Sequence, residues 1–372
     1  MRIGVDFHVL DALFQGSRTH LLELFPRVFA LRPQWEFFLF LDGTERLASA
    51  FPVFRRANVH LIKMPKANPV FRLTWQLPRL QRSCRLDILH TQYITPIPSF
   101  CPCVVTIHDI LFETMPRFFE FSFALRSKLL MRLSARRSAH VFTISEYSRS
   151  EIAARYGVNA GKLTVTNMGV DKSRFFAGQA GHELVRQRGL QPGRYILTTG
   201  RLEPRKNHVT LLEAYSKLGA DAPPLVMVGQ RHFGYRAVLD RIHALNLERR
   251  VIVLEDVDDN ELPAIYRHAS LFVYPSWGEG FGIPVMEAMA SGVPVISSSA
   301  GALSEVVDGA GVLVGPGDIK GLHDAMSRLL GNAEAGVALS RRGLARSALF
   351  RWEEAAEKAV SVYERCAAGN RG

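Results

Sequence analysis

The stretch Leu271-Phe-Val-Tyr-Pro-Ser276-Trp-Gly-Glu279-Gly-Phe-Gly-Ile-Pro284-Val-Met-Glu287-Ala-Met-Ala-Ser-Gly292-Val-Pro-Val-Ile296 decides how this chain folds. Its first four residues are apolar and β-prone, the pattern of a strand buried on both faces. Gly278, Gly280 and Gly282 then make a loop, and Pro284 suits the first turn of a helix, where a missing N–H costs nothing. Gly292 and Pro294 end that helix early, and a second apolar run begins another strand. Strand, Gly-rich loop, short helix and strand form half of a doubly wound unit, whose ligands sit beyond the carboxyl ends of the strands. Glu279 is therefore expected at the loop mouth and Glu287 one helical turn inside. Two acceptor-only carboxylates beside approachable backbone N–H groups suit a polyol that also carries phosphate.

The same alternation runs through the rest of the chain. Arg2–Phe7, Trp35–Leu41, Asn58–Ile62, Ile88–His90, Val104–His108 and Val141–Ile144 read as short buried strands of a first half. Tyr195–Thr199, Leu225–Val228, Val251–Leu254, Leu271–Tyr274, Val293–Ser297 and Val312–Val314 repeat the pattern in a second. Strands alternating with helices imply parallel sheets covered on both faces, an α/β class. A length of 372 residues suggests two domains. The boundary is expected between Asn167 and Gly193, giving domains of residues 1–172 and 190–350. Residues 351–372 carry an amphipathic helix with Trp352, Ala356, Val360 and Tyr363 on one face.

With 47% hydrophobic residues and a mean hydropathy of +0.03, the chain can fill two cores and is not disordered. No apolar run reaches the roughly 18 residues that span a bilayer, and with an apolar strand from Arg2 no signal peptide is expected. Cys84, Cys101, Cys103 and Cys366 have no zinc spacing, and Cys101-Pro-Cys103 is too short for a redox pair. A cytoplasmic location and no bound metal are the expectation. The charge is uneven: residues 51–137 hold 14 Lys and Arg against 4 Asp and Glu, nearly all of the net +11. Such a patch implies an anionic partner: membrane, nucleic acid or a polyanionic substrate.

Several short motifs can carry chemistry. Gly200-Arg-Leu-Glu-Pro-Arg-Lys-Asn-His208 sits between a strand and a helix, where an anion is expected. Arg201 offers a planar fork for phosphate oxygens and Lys206 a point charge, whereas Arg205 is expected to face solvent. Two cations there would favour a transition state in which negative charge grows on a departing phosphate group. His108-Asp109 ends a strand, and Asp109 can cap a turn. Gln15-Gly16-Ser-Arg18-Thr opens a helix; Gly16 is a candidate for close backbone approach and Arg18 a further anion contact or an exposed first-turn residue. Ser145 reads as an N-cap. Glu305 is equally a helix-cap partner or a ligand.

The Glu279-x7-Glu287 spacing around Gly-Phe-Gly, together with Gly200-Arg-Leu-x-x-x-Lys206-Asn, resembles the retaining GT-B glycosyltransferases of family 4 (glycosyltransferase group 1), and the likeness runs nearly the full chain. It implies two Rossmann-like domains facing across a cleft, with the C-terminal helix crossing back to the first. The first domain would bind the acceptor, the second a nucleotide-sugar donor. It further implies that Glu279 and the amides of Gly280, Phe281 and Gly282 face the donor hexose. Glu287 would hold the ribose, Arg201 and Lys206 the diphosphate, Gly16 the donor phosphates, and His108 the sugar hydroxyls. The residue after Val257 would bind the base through its backbone. No cofactor beyond the donor itself is implied. The pattern is most similar to mannosyltransferases of bacterial O-antigen and exopolysaccharide synthesis, so the expected donor is GDP-mannose and the acceptor a lipid-linked or oligosaccharide glycan. Basic residues interleaved with Phe71, Trp75, Phe118, Phe119, Phe121 and Phe123 suit peripheral binding to an anionic membrane. Two other readings compete. A soluble enzyme of the same fold, a UDP-glucose type synthase or an epimerase, would not need the patch. A nucleic-acid-binding protein would leave Glu279 and Glu287 without a role, so no nucleic-acid partner is expected.

Overall fold

The computed structural model describes residues 1–11 and 16–369. The chain divides into two compact units, Met1–Met168 with Arg351–Gly372, and Gly169–Phe350. The first unit holds β1 (Arg2–Asp6), β2 (Glu36–Leu41), β3 (Val59–Lys63), β4 (Ile88–Gln92), β5 (Cys103–Thr106), β6 (His140–Thr143) and β7 (Leu163–Val165). These strands are parallel and lie in the order β3-β2-β1-β4-β5-β6-β7. The second unit holds β8 (Ile196–Thr199), β9 (Leu225–Val228), β10 (Val251–Leu254), β11 (Leu271–Tyr274), β12 (Val295–Ser298) and β13 (Val312–Val314). They are also parallel, in the order β10-β9-β8-β11-β12-β13.

Central strands such as β4, β8, β9 and β11 are buried along their whole length, as parallel strands covered on both faces must be. Leu211, Leu212 and Tyr215 of the His208–Ser216 helix pack with Leu225, Met227 and Leu271 in one core of the second unit. In the first unit the Trp352–Ala368 helix lies against the Gly16–Leu31 helix and β4. Its Trp352, Ala356, Val360 and Tyr363 face is buried, and Tyr363 Oη lies 2.6 Å from Nδ1 of His90. Arg27 and Arg32 pair with Glu353 and Glu364 along the edge of that contact.

Most strands of the first unit, with β8 and β12 of the second, begin or end one or two residues from the expected positions. β7 was not expected at all. β5 stops at Thr106, two residues before His108, and β12 starts at Val295 rather than Val293 because Pro294 has no N–H for the ladder.

Candidate active site

The order of the second sheet reverses between the adjacent strands β8 and β11. In a doubly wound sheet this is the point where ligands bind, beyond the carboxyl ends. Two loops leave there, residues 200–207 after β8 and 275–282 after β11. They are tied together at several points. Arg205 O accepts from Trp277 N and Ser276 Oγ at 2.9 and 3.1 Å, and Asn207 Nδ2 donates to Pro275 O at 3.0 Å.

Glu279 stands at the centre of this junction. Its Oε1 accepts from Lys206 Nζ at 2.7 Å, Ser276 Oγ at 2.7 Å and Tyr274 Oη at 2.9 Å. Its Oε2 pairs with Arg205 Nη1 at 2.8 Å. The same guanidinium donates to Gly278 O at 2.8 Å and to Glu203 Oε1 at 2.7 Å. Arg205 therefore does not face solvent, as its position in the sequence suggested; it is the second counter-ion of Glu279. Burial opposes the Glu279 charge, but Arg205 and Lys206 outweigh it and hold the carboxyl well below the usual carboxylate range. Burial lowers the Lys206 ammonium, and Glu279 works in the opposite direction. The result is a largely buried junction with two cations, the Glu279 and Glu203 carboxylates and the Tyr274 hydroxyl.

Gly301 explains why the Glu279 backbone is fixed. Its φ is +62°, and a Cβ there would stand 2.6 Å from Glu279 O. The Glu279 carbonyl accepts from Ala302 N at 3.0 Å across this contact. Gly282, with φ +113°, precedes the Ile283–Ala290 helix and lets the chain turn into it. The amides of Phe281, Gly282 and Ile283 belong to the amino-terminal end of this helix, where N–H groups have no intrahelical acceptor. The Phe281 ring is turned into the core, edge-on to Phe350 with ring centres 5.5 Å apart, so only its backbone is offered to a ligand. Gly280 lies between Glu279 and that ring. Arg201 is the second residue beyond β8, and its carbonyl lies 3.2 Å from His208 Nε2.

Glu287 sits one turn inside the helix and away from the Glu279 junction, hydrogen-bonded to the Tyr266 hydroxyl, which also meets Thr199 Oγ1 at 2.6 Å. Burial pushes its carboxyl up from 4.5 to about 7, against the Tyr266 hydrogen bond and the Arg174 charge. Between those two values the folded protein holds a proton that the unfolded chain has lost, so stability falls as pH rises through this window. Glu287→Gln removes the effect. We expect the variant to unfold like the parent near pH 4 and to be about 1–3 kcal/mol more stable at pH 8, read from urea midpoints. Its affinity for the nucleoside diphosphate should fall at pH 8 through loss of a charge-assisted acceptor. Equal affinity would remove Glu287 from the ribose site.

The residue after Val257 does not fit a backbone contact to the base. The Asp258 N–H donates to Glu261 Oε2 at 3.0 Å, and its carbonyl accepts from Glu261 N and Leu262 N, so both groups serve a helix start. Ser145 Oγ caps the Glu146–Tyr156 helix at Ser148 N, 3.0 Å, and Asp109 Oδ1 caps a turn at Leu111 N, 3.1 Å. The Glu305 carbonyl accepts from Arg346 Nη2 at 2.7 Å.

In the first unit, His108 is buried with Nε2 3.1 Å from Gln92 Oε1 and its ring edge-on to His20 at 5.0 Å. Burial, then the neighbouring His20 and His90, hold it well below the ordinary imidazole range, so it is neutral at pH 7. A neutral ring can accept or donate one hydrogen bond to a sugar hydroxyl. Gly16 is the exposed first residue of the Gly16–Leu31 helix, and Arg18 lies in that helix's first turn; Gln15 falls outside the described residues. Among the described residues, no group of three or more His, Cys, Asp or Glu is placed to hold a metal ion, and no helix is long and apolar enough to cross a membrane.

Residues 16–174 match the glycosyltransferase family 4 model, and residues 193–332 match the model of glycosyl transferases group 1. O-antigen chain mannosyltransferase B of Escherichia coli is 31% identical over 265 residues, 70% of this chain and 70% of that protein. The chain is a family 4 glycosyltransferase with the GT-B fold. A second relative of this glycosyltransferase, O-antigen chain mannosyltransferase RfbU of Salmonella typhimurium, is 31% identical over 235 residues, 63% of this chain and 62% of that one. Sucrose-phosphate synthase from Thermosynechococcus elongatus shares the fold with TM-score 0.77 at 20% identity, over 99% of this chain and 100% of that one. Anabaena HepE in complex with UDP-glucose gives TM-score 0.77 at 18% identity, over 99% and 100%.

Proposed function

We propose that this glycosyltransferase moves mannose from GDP-mannose to a hydroxyl of a lipid-linked glycan in bacterial surface-polysaccharide synthesis, with retention at the anomeric carbon. The observation that carries the reading is the Arg205–Glu279–Lys206 junction at the switch point of the second sheet, in a chain whose relatives are named O-antigen mannosyltransferases. In this reading the C1–O bond to the diphosphate breaks while the acceptor oxygen bonds C1 on the same face. The acceptor proton passes to a diphosphate oxygen, so no protein nucleophile or base is required. Arg201, Lys206 and the start of the Ile283–Ala290 helix stabilise the charge that builds on the diphosphate. Glu279, already ionised and fixed by four groups, orients the hexose hydroxyls, and Glu287 accepts from the ribose. Lys206 is divided between Glu279 and the incoming diphosphate.

The donor is tested by thermal unfolding with GDP, UDP, ADP and their sugars. At 100 times its dissociation constant a ligand adds about 2.7 kcal/mol, so GDP should raise the Tm by several degrees and UDP should not. Stabilisation by UDP alone, with glucose transfer, would replace the mannose reading by the UDP-glucose one.

We further propose that the enzyme works on the inner face of an anionic membrane. The Phe121–Arg137 helix exposes Phe121, Leu125, Leu129 and Leu133 at four-residue spacing, with Phe121 82% and Leu129 62% accessible. Around this stripe Arg126, Arg136 and Arg137 are exposed, although Arg136 gives Nε to Tyr156 O at 2.7 Å. Lys128 leans toward Glu113 at 3.4 Å, and Arg132 is half-buried. The exposed Phe71–Trp75 stack, with Arg79 over Trp75, adds a second amphipathic site in the same unit. Changing Arg126, Lys128, Arg132, Arg136 and Arg137 to Gln should cut co-sedimentation with anionic vesicles at least tenfold, at up to about 1 kcal/mol per cation that reaches the surface. Binding indifferent to salt, lipid charge and these changes would point to a soluble acceptor.

A further inference from the structure

The first sheet also has a switch point. Its order reverses between β1 and β4, so the carboxyl end of β1 opens on the position where this unit should hold a ligand. Three polar side chains gather there, and the reaction described above uses none of them. Asp6, the last residue of β1, is fully buried. Its Oδ1 accepts from His8 Nδ1 at 2.9 Å and from His8 N at 3.2 Å, and its Oδ2 pairs with Arg72 Nη1. Arg72 Nη1 also lies 3.1 Å from His8 Nδ1.

Burying a carboxylate is costly unless it is paired. Arg72 alone would pair this one and tie its helical segment to β1, so a purely structural ion pair has no use for His8. Yet the imidazole is held by both. The carboxylate is the nearer partner of Nδ1, and Arg72 Nη1 already donates to Asp6 Oδ2, so the proton sits on Nδ1 and Nε2 is left as a lone-pair acceptor. Among the described residues no group bonds Nε2, and the His8 side chain is 30% accessible. In that tautomer the ring carries no charge to attract an anion, and the Arg72 charge is already matched by Asp6. What fits Nε2 is an O–H donor.

We infer that His8 is an acceptor-binding residue, taking a hydrogen bond from a sugar hydroxyl of the glycan acceptor at Nε2, with Asp6 and Arg72 as its positioning residues. The inference rests on the glycosyl-acceptor reading above and names the group that reads the acceptor on the first unit.

The test uses the full chain with octyl α-mannoside and octyl β-glucoside as soluble acceptors. His8→Ala should raise the KM for the preferred glycoside about tenfold or more, with the donor KM within twofold of the parent. His8→Gln, which keeps a side-chain acceptor, should recover part of the loss. Independently, nitrogen-15 NMR of labelled histidine should show His8 protonated at Nδ1, with the Nε2 signal moving as the glycoside is added. An unchanged acceptor KM in His8→Ala, or an Nε2 signal that ignores a glycoside the enzyme does glycosylate, would overturn the inference while leaving the proposed function standing. A parent enzyme that transfers hexose to neither glycoside would overturn the glycosyl-acceptor reading, and this inference with it.

Discussion

Lys206→Ala is expected to lower turnover roughly 100-fold or more while the affinity for the nucleoside diphosphate changes much less. The Lys206 ammonium lies in a largely buried junction, 2.7 Å from Glu279 Oε1 and 2.6 Å from Tyr274 Oη. In the ground state these two groups already satisfy part of its charge. In the reaction proposed above, negative charge on the diphosphate grows as the sugar departs and the balance shifts toward it, so the interaction would strengthen most at the transition state. Arg205 survives the substitution and keeps Glu279 paired, which makes a folded variant the expected result. Single-turnover rates and calorimetric affinities separate the two effects. A turnover within a fewfold of the parent, in a folded protein, would reduce the loop to a structural clasp.

Glu279→Ala should cost stability as well as the contact to the hexose. The substitution strips Arg205 and Lys206 of their shared counter-ion, and both side chains are largely buried, at 16% and 12% accessible. Removing one member of a buried ionic cluster commonly costs about 3–5 kcal/mol, because the charges left behind stay desolvated. Glu203 retains Arg205 at 2.7 Å, which places the expected loss at the lower end, about 3 kcal/mol. Glu279→Gln keeps the shape and the acceptor oxygen and should lose less. Urea midpoints for the three proteins check the order parent, Gln, Ala. A Glu279→Ala protein as stable as its parent would show that water reaches the two cations, contrary to the burial described above.

Much of this was legible before any coordinates. β9, β10, β11 and β13 fall at the expected residues, because each is an apolar run cut off by turn residues and strand length leaves little freedom. The Gly282–Pro284 helix start follows from backbone chemistry alone. Two of the misses share one physical origin: pairing between residues distant in sequence. Arg205 reads as an exposed base in an exposed loop until Glu279, beyond β11, is folded against it. Asp6 and His8 look like the ordinary end of a strand until Arg72 arrives. β7 is three residues at a sheet edge, Leu163–Val165, with Thr164 only partly buried, so no apolar run announces it. The Asp258 backbone was assigned to a ligand, but its local helix start claims it first.

The return of the Trp352–Ala368 helix to the first unit fixes an order of events during synthesis. The second unit is one continuous segment, Gly169–Phe350, whereas the first is split around it. Domains generally mature from the amino terminus as the ribosome advances. Here the earlier-made unit must wait, with His20 lacking Trp352 and His90 lacking Tyr363, while the later-made one emerges and closes. The nascent chain is thus vulnerable longest in the part made first, and any break in translation before Trp352 leaves a finished second unit attached to an unfinished first.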